Sequence, residues 1–355
     1  MKILLLGDFS ALHTNLKEGL LELGHDVTLA SNGDGWKNLD RDIDLIYKSK
    51  FLSDRMASKI MPITKISELT GFDVVQLINP FTLRKKNFPN KLYFNLIKLF
   101  NSKIFLSAAG DDSFFWTKGR KALLYSPFED FLKYDEKSNY YYMENQKMIS
   151  LNEHIANKVN GIIPIMHEYE ISYQKHPKLK SAIPIPINTK KINYLKNKPQ
   201  GKISIFHGLN RYGFKGTRHV EKAFETLKKK YPNDLDLHIK GKMPLHQYLE
   251  LMKKTNIIID QTNSYSLGVN GIYALAMGKI VLGGCEPESL KSLNINHSPV
   301  INIKPNSESI VKEIEHLLEK RSSIEELSIQ SRVFAEQVHD YIKVSSQYLK
   351  TWEDD

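Results

Sequence analysis

The stretch Met1–Ala30, MKILLLGDFSALHTNLKEGLLELGHDVTLA, reads as a strand, a helix and a second strand. Ile3–Gly7 is a continuous apolar run, the pattern of a strand buried on both faces. Leu16, Leu20 and Leu23 recur at helical spacing, with Thr14 placed to cap the helix and Gly24 to end it. Val27–Ala30 then resumes the strand pattern. Asp8 stops the opening run and no cleavage site follows, so a first strand is expected here and not a targeting segment.

The alternation continues along the chain. Further strands are predicted at Asp44–Tyr47, Asp73–Ile78 and Ile104–Ser107, with a weaker one at Gly161–Ile165. Short buried strands separated by helices make a parallel sheet covered on both faces. His176–Gly201 is rich in proline and lysine, and its prolines exclude a helix through the middle, so it reads as an interdomain linker. Strands resume at Ile203–His207, Asp236–Ile239, Asn256–Asp260, Lys279–Leu282 and Val300–Ile303. Between them lie helices carrying Val220, Ala223, Phe224 and Leu227, then Leu245, Leu249 and Met252, then Gly268–Met277. Ile324–Trp352 has neither proline nor glycine and is expected to be helical throughout. The expected fold class is α/β: two Rossmann-like domains in tandem, spanning 1–187 and 188–335, with a deep interdomain cleft as the ligand site.

At 355 residues the chain is too long for one ordinary core and suits two domains. Its single cysteine, Cys285, excludes an internal disulfide and a thiolate metal cluster, and points to a reducing cytoplasm. No apolar run approaches the roughly 18–20 residues a bilayer span needs. Lys and Arg total 50 against 40 acids, a net charge of +10. Such a chain suits anionic partners: nucleotides, phosphates, nucleic acid or an acidic membrane surface. No nucleic-acid reading module is recognisable, so nucleic acid is not the expected partner.

Three motif readings decide what chemistry is available. Gly7-Asp8-Phe9-Ser10-Ala11-Leu12-His13 lacks the second and third glycines of a dinucleotide fingerprint, which argues against a nicotinamide dehydrogenase. Gly208–Thr217, GLNRYGFKGT, is a near miss to a P-loop, because Phe214 separates Gly213 from Lys215. As the end of a strand followed by a helix, the same segment instead presents Arg211 and Lys215 to a diphosphate, Arg as a fork and Lys as a point charge. Ser264–Gly271, SYSLGVNG, opens the next helix, and a glycine-rich helix start offers amide groups and a positive dipole end to an anion.

Phe206–Leu227, Lys240–Gln261, Ser266–Gly284 and Val338–Trp352, with Asp73–Pro80, Asn160–Tyr169 and Ile183–Ile192, occur in the order found in one family. The chain resembles nucleotide-sugar glycosyltransferases of the GT-B fold, closest to the large retaining, family 4-like group that builds bacterial surface polysaccharides. The resemblance spans most of the chain. It implies that Arg211 and Lys215 hold the donor diphosphate and act in catalysis without a metal, and that amides at Gly268, Val269 and Asn270 bind the distal phosphate. Lys240, Lys242 and Met243 would line the base. The last helix, 336–355, would cross back to the N-terminal domain, whose loops hold the acceptor. No cofactor is implied beyond the substrate itself, a UDP- or GDP-sugar.

Two departures stand out. The family's pair of glutamates, eight positions apart, is replaced by Tyr265 toward the donor sugar, with Ser266 beside it, and by Tyr273 toward the ribose. Where the family often has a histidine before Gly-x-Asp, this chain has Ala109-Gly110-Asp111-Asp112. Asp111 and Asp112 follow a strand and are candidates for acceptor binding or proton transfer, or else a helix cap. Ser10 and His13 lie on the loop expected to face the acceptor. Asp40, Asp42 and Asp44 read as a solvated turn, and no histidine spacing suggests a metal. Asn90–Phe100, NKLYFNLIKLF, following Arg84-Lys85-Lys86, reads either as a buried helix or as a peripheral contact with anionic membrane on the cytoplasmic face. The activity the resemblance implies is sugar transfer from a nucleoside diphosphate donor to a glycan acceptor, such as a lipid-linked one. A GT-B epimerase or phosphotransferase and a non-catalytic nucleotide- or glycan-binding relative remain the alternatives.

Overall fold

A computed structural model describes residues 1–46, 62–241 and 245–354. The chain divides into two compact units, one formed by residues 1–119, 142–186 and 341–355, the other by 120–141 and 187–340. Both are layered α/β structures with parallel sheets.

The first unit holds strands β1 (Lys2–Leu6), β2 (Asp26–Ser31), β3 (Ile43–Asp44), β4 (Val74–Leu77), β5 (Lys103–Ala108) and β6 (Gly161–Pro164). Their order is β3-β2-β1-β4-β5-β6, every pair parallel. Leu16 and Leu20 of the helix Leu12–Glu22 pack on Ile3, Leu5, Val27 and Leu29, as their spacing predicts. The cap differs from expectation: Thr14 lies inside the helix, and the Asp8 carboxylate accepts the His13 and Thr14 amides and the Thr14 hydroxyl. The expected strand Asp44–Tyr47 is found as Ile43–Asp44, and Tyr47 lies outside the described residues.

The second unit holds β7 (Ile203–Leu209), β8 (Leu235–Gly241), β9 (Ile257–Ile259), β10 (Ile280–Gly283) and β11 (Ile301–Asn302), ordered β11-β10-β9-β7-β8 and parallel throughout. Its core is Ile205, Ile257, Ile259, Ile280 and Leu282 of the strands under Val220, Ala223, Leu227, Ile310 and Ile314 of the helices. In each sheet, neighbouring strands leave in opposite senses at one place: between β1 and β4, and between β7 and β9. Loops at the carboxyl ends of strands diverge at such a switch point and leave a crevice for ligand.

Three connections differ from the sequence reading. Arg120–Tyr141, expected within the first domain, belongs to the second unit. Residues 182–189 of the expected linker are buried, with Ile183, Ile185 and Ile187 in the interior, and a 3-10 helix follows at Thr189–Lys191. The helix expected over Ile324–Trp352 is two, Ile324–Val338 and Tyr341–Glu353. It breaks at His339–Asp340, where the Ile187 amide donates to the His339 carbonyl (2.7 Å) and the Thr189 hydroxyl to the Asp340 carboxylate (3.1 Å). The final helix then packs in the first unit along Leu12–Glu22, so closely that a Cβ on Gly19 would collide with the Tyr341 carbonyl and the Ser345 hydroxyl. Trp352 is buried there and donates to the Gln76 side chain at 2.9 Å.

Candidate functional site

The loop after β7 is built by hydrogen bonds along its own chain. Lys215 N–H donates to the Arg211 carbonyl, Gly216 N–H to Gly213 and Thr217 N–H to Tyr212, which turns the chain directly into the helix Thr217–Lys230. Gly216 makes that turn at φ 67, a left-handed conformation in which a Cβ would also strike Thr262 and Asn263. Beneath it His207 is fully buried. Its Nδ1 donates to the Ile259 carbonyl (2.9 Å), leaving Nε2 to accept from the Thr217 hydroxyl (3.0 Å). Burial, with the Lys215 charge adding to it, holds its pKa down at about 4, so the ring is a neutral strut tying β7, β9 and the helix start together.

Opposite this loop lies the chain that leaves β9. Lys215 is buried, and its ammonium sits 3.3 Å from Oδ1 of Asp260, itself buried. The other oxygen, Oδ2, accepts the Gly268 amide at 2.7 Å. The carboxylate therefore joins the lysine to the start of the helix Val269–Ala276. Gly268, expected to offer its N–H to phosphate, gives it to Asp260 instead. Val269 and Asn270 occupy the first helical turn, whose amides have no acceptor within the helix. Arg211 is half-buried, its guanidinium carbon 3.6 Å from the Phe214 ring centre and 4.6 Å from that of Phe131. Lys215 and a helix start thus meet at the β7/β9 switch point through one built-in carboxylate, and Arg211 lies on the same loop as the lysine, against Phe131 and Phe214.

The second wall is the segment Arg120–Tyr141. Asp135 Oδ2 accepts the amides of Gly213 and Phe214 at 3.0 and 2.9 Å. Asp130 accepts from Arg218 Nε (2.7 Å) and Asn263 Nδ2 (3.1 Å). Phe214 fits edge-on between Phe128 and Phe131, and a Cβ on Gly213 would collide with the Asp130 carbonyl. None of these acids was singled out in the sequence. Their partners lie far along the chain, and no spacing rule joins them.

Tyr265, expected beside the donor sugar, is buried: its ring stacks on Tyr125 at 4.7 Å and its hydroxyl accepts the Leu124 amide at 3.0 Å. Tyr125 donates to Glu286, which also pairs with Lys304. Tyr265 thus anchors the Arg120–Tyr141 segment. Ser266 is buried, its carbonyl accepting from the Gln261 side chain at 3.2 Å, and Tyr273 is half-buried on the helix Val269–Ala276. Lys240 is exposed on edge strand β8, paired in register with Gly208 of β7. Lys242 and Met243 lie outside the described residues.

The first-unit candidates divide differently. Ser10 donates its amide to Asp34 (2.8 Å), and its hydroxyl accepts from Lys37 (2.8 Å). His13 is fully buried: Nδ1 donates to the Gly7 carbonyl (2.7 Å), and burial holds its pKa down at about 3. It supports the Gly7 turn from inside and does not present itself to an acceptor. Asp112 is likewise a buried cap, accepting the Phe115 amide and the Tyr173 hydroxyl, each at 2.7 Å. Burial pushes its pKa up to about 6. Asp111 is half-buried and adds its charge to the burial that raises the Tyr169 phenol. A Cβ on Gly110 would come within 2.8 Å of the Phe9 ring, which sets the Asp111 loop against the Ser10 loop. Among the described residues, no group of three or more His, Cys, Asp or Glu is placed to hold a metal, and no helix is long and apolar enough to cross a membrane.

No family model matches the sequence, and no curated protein sequence matches it either. Solved structures do match, over the full length. A sucrose-phosphate synthase from Thermosynechococcus elongatus superposes with a TM-score of 0.64 at 13% identity, covering 100% of this chain and 99% of its own. HepE from Anabaena, in complex with UDP and glucose, gives 0.63 at 10% identity, covering 100% of both chains. HepE also matches in complex with UDP-glucose. A UDP-GlcNAc 2-epimerase from Neisseria meningitidis, bound to UDP-GlcNAc, gives 0.53 at 14% identity, again covering 100% of both. The shared element is architecture: this chain has the GT-B fold, two Rossmann-like units in tandem.

Proposed function

We propose that this chain is a glycosyltransferase that moves a hexosyl group from a UDP- or GDP-sugar to a glycan acceptor, with residues 187–340 as the donor unit. The observation that carries this reading is Lys215 joined through Asp260 to the start of the helix Val269–Ala276 at the switch point of the second sheet, with Arg211 on the same loop as the lysine. In a fold whose solved examples include a protein holding UDP-glucose, that is the arrangement a leaving diphosphate needs. Charge develops on the diphosphate as the glycosidic bond breaks, and preorganised cations and amides stabilise it there. Arg211 and Lys215 act as these catalytic groups, so the reaction proceeds without a metal. The acceptor enters at the loops of Ser10 and Asp111. We assign the chemistry as anomeric retention and the pathway as assembly of bacterial surface polysaccharide in the cytoplasm, both on family resemblance.

A peripheral membrane contact is part of the proposal. The helix Asn90–Leu99 buries Tyr93, Phe94 and Ile97 but leaves Leu92 and Leu99, with Phe100 beyond it, 55–73% exposed. Residues 74–110 contain no acid, and Arg84, Lys85, Lys86 and Lys91 stand just before and at the start of the helix. An apolar stripe with a basic border suits an anionic bilayer. Co-sedimentation with phosphatidylglycerol vesicles, lost in Leu92→Glu/Leu99→Glu, is the expected result.

The test of the donor assignment is a thermal-shift panel of UDP, GDP, CDP, ADP and NAD. A ligand at about 100 times its Kd stabilises by about 2.7 kcal/mol, enough to read. One nucleoside diphosphate is expected to raise Tm, and NAD is not. An unshifted Tm across the panel would favour a non-catalytic relative. The epimerase in the same fold motivates a second reading, which product analysis without acceptor separates: an epimerase converts its nucleotide-sugar alone.

A further inference from the structure

We propose that Asp260 sets the charge that the donor site accepts, favouring a sugar-capped diphosphate over the free nucleoside diphosphate and thereby easing product departure. The inference rests on the donor assignment above and adds to it a discrimination between substrate and product.

The geometry is specific. The Asp260 carboxylate is buried, with one oxygen 3.3 Å from the Lys215 ammonium and the other 2.7 Å from the Gly268 amide. An anion thus already holds the two groups that a phosphate would seek at this switch point. Asp260 cannot swing away cheaply, because it sits at the end of β9, its amide bonded to the Leu282 carbonyl at 2.9 Å, with Gly268 and Gly271 close against its side chain. Its negative charge therefore remains beside any incoming phosphate and offsets one of the two cations, Arg211 and Lys215.

The consequence follows from ligand charge. In a nucleotide-sugar both phosphates are esterified, and each carries one negative charge. Breaking the glycosidic bond leaves a terminal phosphate of about −1.5 to −2 at neutral pH. Product thus carries about half to one more negative charge than substrate, placed close to a fixed carboxylate in a poorly screened interior. Repulsion from Asp260 is accordingly greater for product than for donor.

The experiment compares UDP and UDP-glucose binding by isothermal titration to the full-length protein and to Asp260→Asn, an isostere that keeps the side-chain oxygen for Gly268. The variant is expected to bind UDP about tenfold more tightly and UDP-glucose about threefold more tightly. Equal changes, no change, or weaker binding of both would overturn the proposal and reduce Asp260 to a support for Lys215. If the variant does not fold, the wild type decides. UDP binding no more than about threefold tighter than UDP-glucose supports the inference, and a larger preference for UDP overturns it. These failures leave the donor assignment intact. Absence of binding by any nucleoside diphosphate or its sugar would instead remove the donor assignment, and this proposal with it.

Discussion

Each unit places a carboxylate just past a strand at its switch point, where it holds the start of the next helix, yet the two surroundings are opposite. Asp8, after β1, accepts the His13 and Thr14 amides and the Thr14 hydroxyl. Burial outweighs those bonds and raises its pKa, and the charge acting on it is another carboxylate, Asp34. Lys37 nearby is paired with Asp34 and bonded to Ser10. Asp260, after β9, faces Lys215 directly, with Arg211 on the same loop as that lysine. The same capping device thus serves a loop whose charges are closed on themselves in one unit and a cationic crevice in the other. The first suits a neutral, hydroxyl-bearing ligand and the second an anion, matching the acceptor and donor roles proposed above.

The sharpest way to break this contrast is stability. Lys215→Met leaves Asp260 as a buried charge without its cation, and is expected to cost about 3–5 kcal/mol in urea unfolding. Asp8→Ala removes a cap that has no ion pair among the described residues, and should cost about 0.5–2 kcal/mol. Equal losses would mean that the Lys215–Asp260 pair is not the structural keystone of its site.

Ligand binding comes next in size. Arg211→Ala removes a charge-assisted contact worth about 1.5–3 kcal/mol, so UDP binding should weaken about 10–100-fold by titration. Arg120 is a surface partner of Glu129 (2.7 Å), and Arg120→Ala should leave UDP affinity unchanged. If both variants weaken binding alike, the phosphate site lies elsewhere.

The most gradual effect is in pH. His13 and His207, one under each switch point, have pKa values held down at about 3 and about 4. Between those values and about 6.5 the unfolded chain binds more protons than the native one, so stability falls as pH falls through this window. Each histidine contributes a slope of up to about 1.4 kcal/mol per pH unit. Asp112, raised to about 6, acts in the reverse sense between about 6 and 3.8 and partly offsets them. His13→Phe should flatten the dependence of the urea midpoint on pH between 6.5 and 4.5. An unchanged slope would show that its ring is protonated in the native state.

Much of the architecture was legible because it is written in local periodicity. Runs such as Ile3–Leu6 and Ile257–Ile259 announce buried strands without reference to their neighbours. The places of Arg211, Lys215 and the Gly268 helix start were legible for a related reason: each sits in a short segment between a strand and a helix. Asp112 carried a readable signal too, since an aspartate three positions before Phe115 has the spacing of a cap, the role it fills. Other features gave no such sign. The break at His339–Asp340 has no proline or glycine, and is made by Ile187 and Thr189 from about 150 positions earlier. Tyr265 aligned with a sugar-contacting position, but Tyr125 and Leu124 hold it as an anchor.

The sequence by itself determined that there would be two parallel sheets, where their strands run, and which basic loop and glycine-opened helix stand at the second sheet's carboxyl edge. Hydrophobic periodicity and backbone freedom are properties of neighbouring residues, and they survive being read one segment at a time. Only the tertiary structure decided that Arg120–Tyr141 walls the cationic loop, that His13 is a strut, and that Asp260 lies between Lys215 and the helix start. Those outcomes depend on which charge or hydrogen-bond partner is folded opposite, and burial makes that partner decisive: a buried charge or polar group is costly unless something meets it.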